Sequence, residues 1–522
     1  MKCDETKPIC LRCQKFGIGN ECGYATLFRR RTKTLEPIQP RSLGALENDT
    51  RHLKDLIPRY PQLLSINTRN LSAAVPGDTT ERRYFEYFRE EVAIIICGYF
   101  ETPFWTRLVP QVCHHEPAIR HEIIALSALY RASRLSSKEK DAKEAHRTFA
   151  FIQQSQALRC LRESLSKKNQ IARLPLMASL IFTIFESFHG NWETAMQQLS
   201  SGRNLLKHSD RKNEQDKEAK YSKASASIEP EIVKALERLE VITLSFLSLN
   251  PVYELPVPEE EEYQEIEKLP DRFGSLAMAF PVIVRLATVA FKQVRATARY
   301  ITSDRSNMSP TEAESQHQAY KRCLMCYQRV ERAWNDVVDP ILFGKIVPVH
   351  SMLYLGALTC HLQGETCAIM IHTCMNLQET VYDSFLERFK SIVGSSVFLL
   401  KTEQDYWMKG EPALKFGLGL IFCLYHVATR CRDAEVRREA IAILRQWPTR
   451  SGLWDSLQAA KVAEWAGGLE ERERGTDGFV PEERRVRMHT LKWTVKDGFI
   501  NAECFQGGAG GSLKLRRAAL LC

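Results

Sequence analysis

The sequence lacks the features that would place it in a membrane, in a secreted compartment or among the common enzymes. The N-terminus has no long apolar core of the kind found in secretory signals, and apolar runs such as Val92–Phe100 are far too short to span a bilayer. No G-x-S-x-G elbow, phosphate-binding loop or dinucleotide fingerprint is present. These absences predict a soluble, intracellular protein that is not an enzyme and has no membrane partner.

Internal repeats and strand-like alternation are also missing, and the fold class that this predicts is all-α. Pro37, Pro40, Pro58 and Pro61 interrupt residues 25–75 too often for consecutive heptads, so no coiled coil is predicted there and the segment is interpreted as a linker. The sixteen cysteines do not indicate a disulfide framework, because twelve of them are scattered after residue 90 in apolar helical surroundings.

Helical periodicity begins near residue 81. Apolar residues recur from Ala145 through Phe149, Ile152, Leu158 and Leu161 to Leu165, and a single buried face is predicted for them. Further helices are predicted from Trp192, within Ala313–Trp334 and Val349–Leu400, and from Asp433, a candidate N-cap, to Pro448. The polar stretches Asp210–Ser227 and Glu259–Glu267 are predicted to be solvated loops, and the glycine-rich end is predicted to be a frayed tail.

Positive charge is concentrated at the N-terminus. The chain has 72 basic and 63 acidic residues, a net charge of +9, and residues 1–34 hold eight of the basic and three of the acidic side chains. This short segment therefore carries +5 and the remaining 488 residues only +4. Clustered Lys and Arg side chains favour a polyanion, because they release its bound counterions.

Four cysteines in the same segment predict a metal site. Their spacing is Cys3-x6-Cys10-x2-Cys13-x8-Cys22, and thiolates at short intervals are the ligands that tetrahedral Zn²⁺ takes in structural sites. The neighbouring Lys and Arg side chains favour the thiolate form. The alternative for the same residues is a reduced, metal-free tail.

The segment from Lys2 to Cys13, KCDETKPICLRC, followed by Cys22-Gly23-Tyr24, closely resembles the second half of the fungal six-cysteine binuclear zinc cluster. The resemblance implies that Cys3, Cys10, Cys13 and Cys22 are the third to sixth ligands of that cluster, with Cys10 bridging two zinc ions. A complete cluster holds two Zn²⁺, whereas the four cysteines present can hold at most one.

Only Met1 and Lys2 stand before the third cysteine of that pattern, so the preceding C-x2-C pair and all but Lys2 of the basic helix are not in the sequence. Two explanations are open. Either the start of the gene model is misplaced and the protein carries the whole cluster, or the gene encodes a degenerate regulator. We favour the first, because an unfolded remnant has no evident reason to keep four ligands in register.

Basic residues around and after the cysteines are candidates for phosphate contact or nuclear import. They are Lys2, Lys7, Arg12, Lys15, Arg29, Arg30, Arg31 and Lys33. A solvated charge run is an equally good interpretation of Arg29 to Lys33 taken alone.

The resemblance continues into the body of the chain. The segments Tyr84–Phe88, Gly98–Trp105 and Ile119–Leu129 look like the start of the fungal-specific regulatory domain, and Ala428–Asp433 with Gly452–Asp455 closely resembles its closing block. The domain organisation predicted is a partial zinc-cluster DNA-binding module with a basic tail (1–34), a linker (35–80), an all-helical regulatory domain (81–500) and a C-terminal tail (501–522).

The resemblance implies a nuclear, zinc-dependent regulator of RNA polymerase II transcription that binds double-stranded DNA at a CGG-like half-site. Transcription machinery or regulatory proteins are expected as further partners, and a homodimer is possible. The alternative function is a helical interaction protein that has lost sequence-specific DNA binding. No catalytic or effector-binding residues are predicted.

Overall fold

A computed structural model gives the fold of residues 75–521. It describes this range except for residues 101, 136–137, 167–171, 219–227, 251–254, 256, 270–271, 303–309, 345, 377, 408–413, 416–418, 473, 476–477, 497 and 508–512.

Helices of the first half of the body pack sequentially, each against a neighbour in the chain. They are α1 (Thr79–Tyr87), α2 (Ala93–Cys97), α3 (Val109–Val112), α4 (Pro117–Ser133), α5 (Lys140–Leu165), α6 (Arg173–His189), α7 (Trp192–Glu218), α8 (Pro230–Leu249) and α9 (Glu260–Glu267), with π-helical turns at Phe88–Val92 and Phe104–Leu108. Local signals explain several starts. Asp78 and Glu81 form a reciprocal capping box at α1, and Pro117 occupies the first turn of α4.

The second half continues the helical body and adds two small sheets. Its elements are α10 (Leu276–Thr302), α11 (Pro310–Phe343), α12 (Met352–Thr373), a 3₁₀ turn (Glu379–Phe385), α13 (Leu386–Thr402), a π turn (Glu403–Trp407), β1 (Leu414–Lys415), α14 (Leu420–Arg430), α15 (Ala434–Gln446), β2 (Arg450–Ser451), β3 (Trp454–Asp455), α16 (Ser456–Glu471), 3₁₀ turns (Glu482–Arg484 and Met488–Thr490), β4 (Lys492–Lys496), β5 (Phe499–Gly507) and β6 (Leu513–Leu521). The prediction of an all-α fold is confirmed for the body, which is mostly helical.

Helices α8, α10, α12 and α14 supply the centre of one continuous hydrophobic core. In α14 every residue from Ile421 to Arg430 is buried, so this helix is surrounded on all sides. Helix α15 begins where the sequence predicts, because the Asp433 side chain accepts hydrogen bonds from the backbone N–H groups of Glu435 and Val436.

Segment Leu276–Ala298 of α10 is long and apolar enough to cross a membrane by length and composition alone. Buried helices of folded cores pass the same test, and here 61% of the apolar window is buried inside the protein. Lys292 on this helix is buried and its Nζ lies 2.5 Å from Glu262 Oε1. An internal ion pair and tight packing identify α10 as a core helix.

The predicted frayed tail is wrong for its described residues. Strands β4, β5 and β6 form an antiparallel sheet in which Trp493 pairs with Ala502 and Glu503 pairs with Arg517. Ile500, Ala502 and Cys504 of β5 are buried beneath it. The sequence gives a weak signal for this strand, because its inward positions hold mostly small residues while Phe499 and Phe505 point outward.

Both predicted loops are wrong in part. Helix α7 continues through Glu218, and the acidic stretch forms helix α9, which begins with a capping box between Glu259 and Glu262. Cations offset the repulsion among its carboxylates: Lys207 pairs with Glu259, and Arg322 pairs with Glu260 and Glu267.

Helix α5 exists as predicted, but its buried face is a different one. Ala150, Gln153 and Ala157 are buried, whereas Ile152, Leu158 and Leu165 are exposed. A helix turns about 100° per residue, so the step of six residues from Ile152 to Leu158 carries the apolar residues to the other side. The apolar residues therefore form two short stripes and not the single predicted one.

Gly452 allows the closing block to approach α8. Its φ is +57°, and a Cβ there would lie 2.4 Å from Cγ2 of buried Ile242. We expect Gly452→Ala to cost about 1–2 kcal/mol for the left-handed backbone and a further ~1–3 kcal/mol for overpacking, measured by urea unfolding. The matched control is Gly468→Ala in α16, where a Cβ meets no atom within 4 Å. An equal loss in both variants would contradict this reasoning.

Candidate functional sites of the helical body

The site residues predicted from the sequence lie outside the described part of the chain. This applies to the four cysteines (Cys3, Cys10, Cys13 and Cys22), to the basic residues (Lys2, Lys7, Arg12, Lys15, Arg29, Arg30, Arg31 and Lys33), and to residues 35–74 of the predicted linker. Among the residues from 75 onward that the structure describes, no group of three His, Cys, Asp or Glu side chains is placed to hold a metal ion.

The described cysteines are mostly buried thiols. Cys360 is buried in α12, Cys423 is buried in α14, and burial raises the pKa of the Cys423 thiol to about 12. A thiol with so high a pKa is neutral at physiological pH and is a poor nucleophile. These residues act as small hydrophobic side chains.

A buried network of charges joins α15, α16 and the 3₁₀ turn at Glu379. Its centre is the Glu470 carboxylate, which is fully buried and lies 2.9 Å from Arg432 Nη2 and 2.5 Å from Arg437 Nη2. It also accepts a hydrogen bond from the Val486 backbone N–H at 2.9 Å. Burial alone would raise the pKa of Glu470, but the two guanidinium groups outweigh it and hold that pKa below the ordinary value.

Two further carboxylates complete the network. Glu379 contacts Arg432 Nη2 at 3.1 Å and accepts the Met488 N–H, yet burial dominates and raises the pKa of Glu379. Arg485, which is completely buried, makes a bidentate pair with Asp383 at 2.8 and 2.7 Å. Each of these guanidinium groups has a carboxylate partner, so the network fixes the chain segments around it and leaves little capacity to recognise an anionic ligand.

A narrow apolar cleft separates α10, α11 and α12. Ile283, Tyr327, Val330 and Trp334 line it, and the Tyr327 hydroxyl donates to the Gly364 carbonyl at 2.7 Å. Its free space of about 30 Å³ holds roughly two water molecules. A small-molecule effector of ordinary size requires several hundred Å³, so it could enter only if these helices moved apart.

The outer face of the C-terminal sheet is more open. A groove of about 640 Å³ runs over β4, β5 and β6 and is lined at its centre by Lys492, Glu503 and Arg517. The Glu503 carboxylate lies 2.5 Å from Lys492 Nζ and 3.2 Å from Arg517 Nε. The hydrogen bond from Lys492, with the contribution of Arg517, lowers the pKa of Glu503, so this carboxylate is ionised at neutral pH.

Neither the charge network nor the groove could be identified from sequence. Glu379, Arg432, Glu470 and Arg485 are widely separated in the chain, and no local motif signals that they meet. The groove requires a sheet that the sequence does not predict. The one signal in the sequence is the cluster of Arg430, Arg432 and Arg437 near the end of apolar α14, because buried Arg side chains need carboxylate partners.

Comparison with known proteins finds two similarities. Residues 83–267 match the fungal-specific transcription factor domain. The chain is also 22% identical over 573 aligned positions to the aspercryptin biosynthesis cluster-specific transcription regulator of Emericella nidulans, with 94% of this chain and 90% of that protein covered. No solved structure matches.

These similarities confirm the resemblance to the fungal transcription factor family that the sequence indicates. Residues 83–267 match the fungal-specific transcription factor domain, and the two similarities together support a transcriptional regulator, a class of protein that is not enzymatic. The matched residues fall inside the predicted regulatory domain of 81–500, whose limits stay a prediction.

Proposed function

We propose that this chain is a nuclear regulator of RNA polymerase II transcription that binds double-stranded DNA in a zinc-dependent and sequence-specific manner. The observation that carries the proposal is the combination, in one chain, of the Cys3, Cys10, Cys13 and Cys22 spacing with a fungal-specific transcription factor domain. The aligned regulator from Emericella nidulans supports the same class of function.

The donor set suits the metal. Four thiolates match the tetrahedral preference of structural Zn²⁺, and bound zinc would hold this short segment in one fold. The basic side chains Lys7, Arg12 and Lys15 lie between or just after the ligands, and Arg29–Arg31 follow them. Their role in the proposal is to contact phosphates and to orient the module on a CGG-like half-site.

Zinc and DNA binding test the proposal together. For the four cysteines of this chain we expect one zinc ion by elemental analysis, and tighter binding of a CGG-containing duplex than of a scrambled duplex in fluorescence anisotropy. With six or more phosphate contacts the affinity should fall by about 10³-fold or more between 50 and 200 mM salt. Cys10→Ser should lose both the zinc and the preference for CGG.

A matched control is Cys160→Ser in α5, because Cys160 is a free, partly buried thiol of the helical body. This variant should keep both properties. If the parent chain holds no zinc and binds both duplexes weakly and equally, DNA recognition by these residues is refuted and the helical interaction protein becomes the better account.

A further inference from the structure

Exposed apolar side chains cover the two ends of the groove on the C-terminal sheet. They are Phe499, Phe505, Leu513, Leu515 and Leu521, with between 39% and 69% of each residue exposed. The strand register places Phe499 opposite Leu521 and Phe505 opposite Leu515, so aromatic and aliphatic groups form a patch at each end. Clustered apolar residues of this kind on a folded surface mark contact sites for other molecules.

Strand β6 forms one edge of this sheet. Its nine residues pair with β5 along one side, and within the described residues no strand pairs with its other side. One contact limits the free edge, because Lys461 Nζ donates to the Leu521 carbonyl at 2.6 Å. Edge strands of this length are templates for pairing with another extended chain. The opposite edge strand, β4, is less accessible, because the Asn250 side chain makes hydrogen bonds with the backbone N–H and carbonyl of Trp493.

The charges of β6 indicate which kind of chain could pair with its free edge. Lys514, Arg516 and Arg517 lie on this strand, and Arg517 is 70% exposed at the centre of the groove. A second copy pairing antiparallel about the middle of the strand would place Arg517 directly opposite Arg517, and like charges opposite one another destabilise a sheet. An acidic strand instead places carboxylates beside these cations.

The apolar patches argue against a nucleic acid. Phosphate backbones are contacted by charged and polar groups, and three of the five exposed apolar residues are leucines, which do not stack on bases as aromatic rings do. A peptide with acidic residues opposite Arg517, Arg516 and Lys514, and with apolar residues opposite Leu513, Leu515 and Leu521, satisfies both the cations and the patches.

We propose that β6 is a docking site for an extended peptide of acidic and apolar residues, which adds to the sheet as a further strand. This surface would recruit a partner protein to the regulator. The proposal concerns β6 and the groove alone, and it does not depend on zinc or on DNA binding by residues 1–34.

The probe is a fluorescein-labelled nonapeptide, Val-Thr-Thr-Val-Glu-Glu-Val-Glu-Val. In antiparallel register with β6 its three glutamates lie opposite Arg517, Arg516 and Lys514. The reversed sequence covers the parallel register, and versions with lysine in place of glutamate, or with alternate amides N-methylated, serve as control peptides.

We expect saturable binding of at least one glutamate peptide by the full chain in fluorescence anisotropy, and loss of binding for the N-methylated form. The double variant Lys514→Glu with Arg517→Glu should bind the glutamate peptide about tenfold more weakly and gain affinity for the lysine peptide. Arg438→Glu is the control, since Arg438 is exposed on α15 away from the sheet. Circular dichroism verifies that all variants are folded.

Several results would overturn the proposal. Absence of binding by both peptide directions would do so, as would binding that the double variant leaves unchanged. If a labelled oligonucleotide binds at β6 and the peptides do not, the surface is a nucleic-acid site. If the chain instead forms dimers that the double variant abolishes while the peptides do not bind, the occupant is a second copy.

Discussion

Glu470→Gln should lower the free energy of unfolding by about 3–5 kcal/mol, because removing one partner of a buried ion pair leaves charge without compensation. Glu470 has no exposed surface, and its two oxygens contact Arg432, Arg437 and the Val486 N–H. The glutamine keeps the volume and one carbonyl acceptor, so the loss reports the missing charge. Urea unfolding followed by circular dichroism measures it.

A control on the same helix separates burial from pairing. Glu464 of α16 pairs with Arg445, but both side chains are about half exposed. Solvent screens such pairs, so Glu464→Gln should cost less than about 1 kcal/mol. Comparable losses in the two variants would show that burial of the network is not what stabilises this end of the protein.

The pH dependence of the free energy of unfolding provides a second test of the role of Glu470. The pKa of Glu470 is held below the ordinary glutamate value of 4.5, so its contribution is fully present above that value and is lost as the pH falls through the lower, folded-state pKa. The stability gap between the parent chain and Glu470→Gln should therefore be constant at neutral pH and should narrow only below about pH 4.

Local signals in the sequence are sufficient to predict many helices of the body. Asp433 caps α15, and Pro117 starts α4, because a cap or an N-terminal proline acts within one turn of its own helix. The error in α5 has a local cause as well. The predicted single stripe joins Ile152 to Leu158 and Leu165, although their spacing places them on different sides of the helix, and all three are exposed.

The candidate sites could not be predicted in the same way. Glu379 and Glu470 meet Arg432 only after α12 to α16 have packed, and the pairing of β5 with β6 is decided by the residues beneath the sheet. The sequence predicts solvated carboxylates for the acidic segment, because nothing local shows that they meet partners such as Arg322, more than fifty residues away. The predicted zinc and DNA-contacting residues remain predictions, since they lie outside the described part of the chain.

Trp454→Ala should cost about 3–5 kcal/mol, the usual range when a large buried aromatic side chain is truncated. The indole is 2% exposed and donates from Nε1 to Ser245 Oγ at 2.9 Å. Phe246 packs edge-on against it with ring centroids 5.1 Å apart. Urea unfolding measures the loss. Trp454→Phe keeps most of the ring, so it should recover most of the stability and lose chiefly the hydrogen bond, which is worth about 1 kcal/mol.

The large loss of stability expected for Trp454→Ala follows from the way Trp454 covers α8. Residues 83–267 match the family domain, and α8 lies within them, yet its end is covered by Trp454 from the closing block and by Trp493 from the C-terminal sheet, both packed against Phe246. Truncating Trp454 therefore opens a cavity in the core of the matched segment itself. Trp465→Ala, which removes a partly buried indole from the adjoining helix α16, should cost clearly less. If the two alanine variants are equally stable, the closing block does not complete the core around α8.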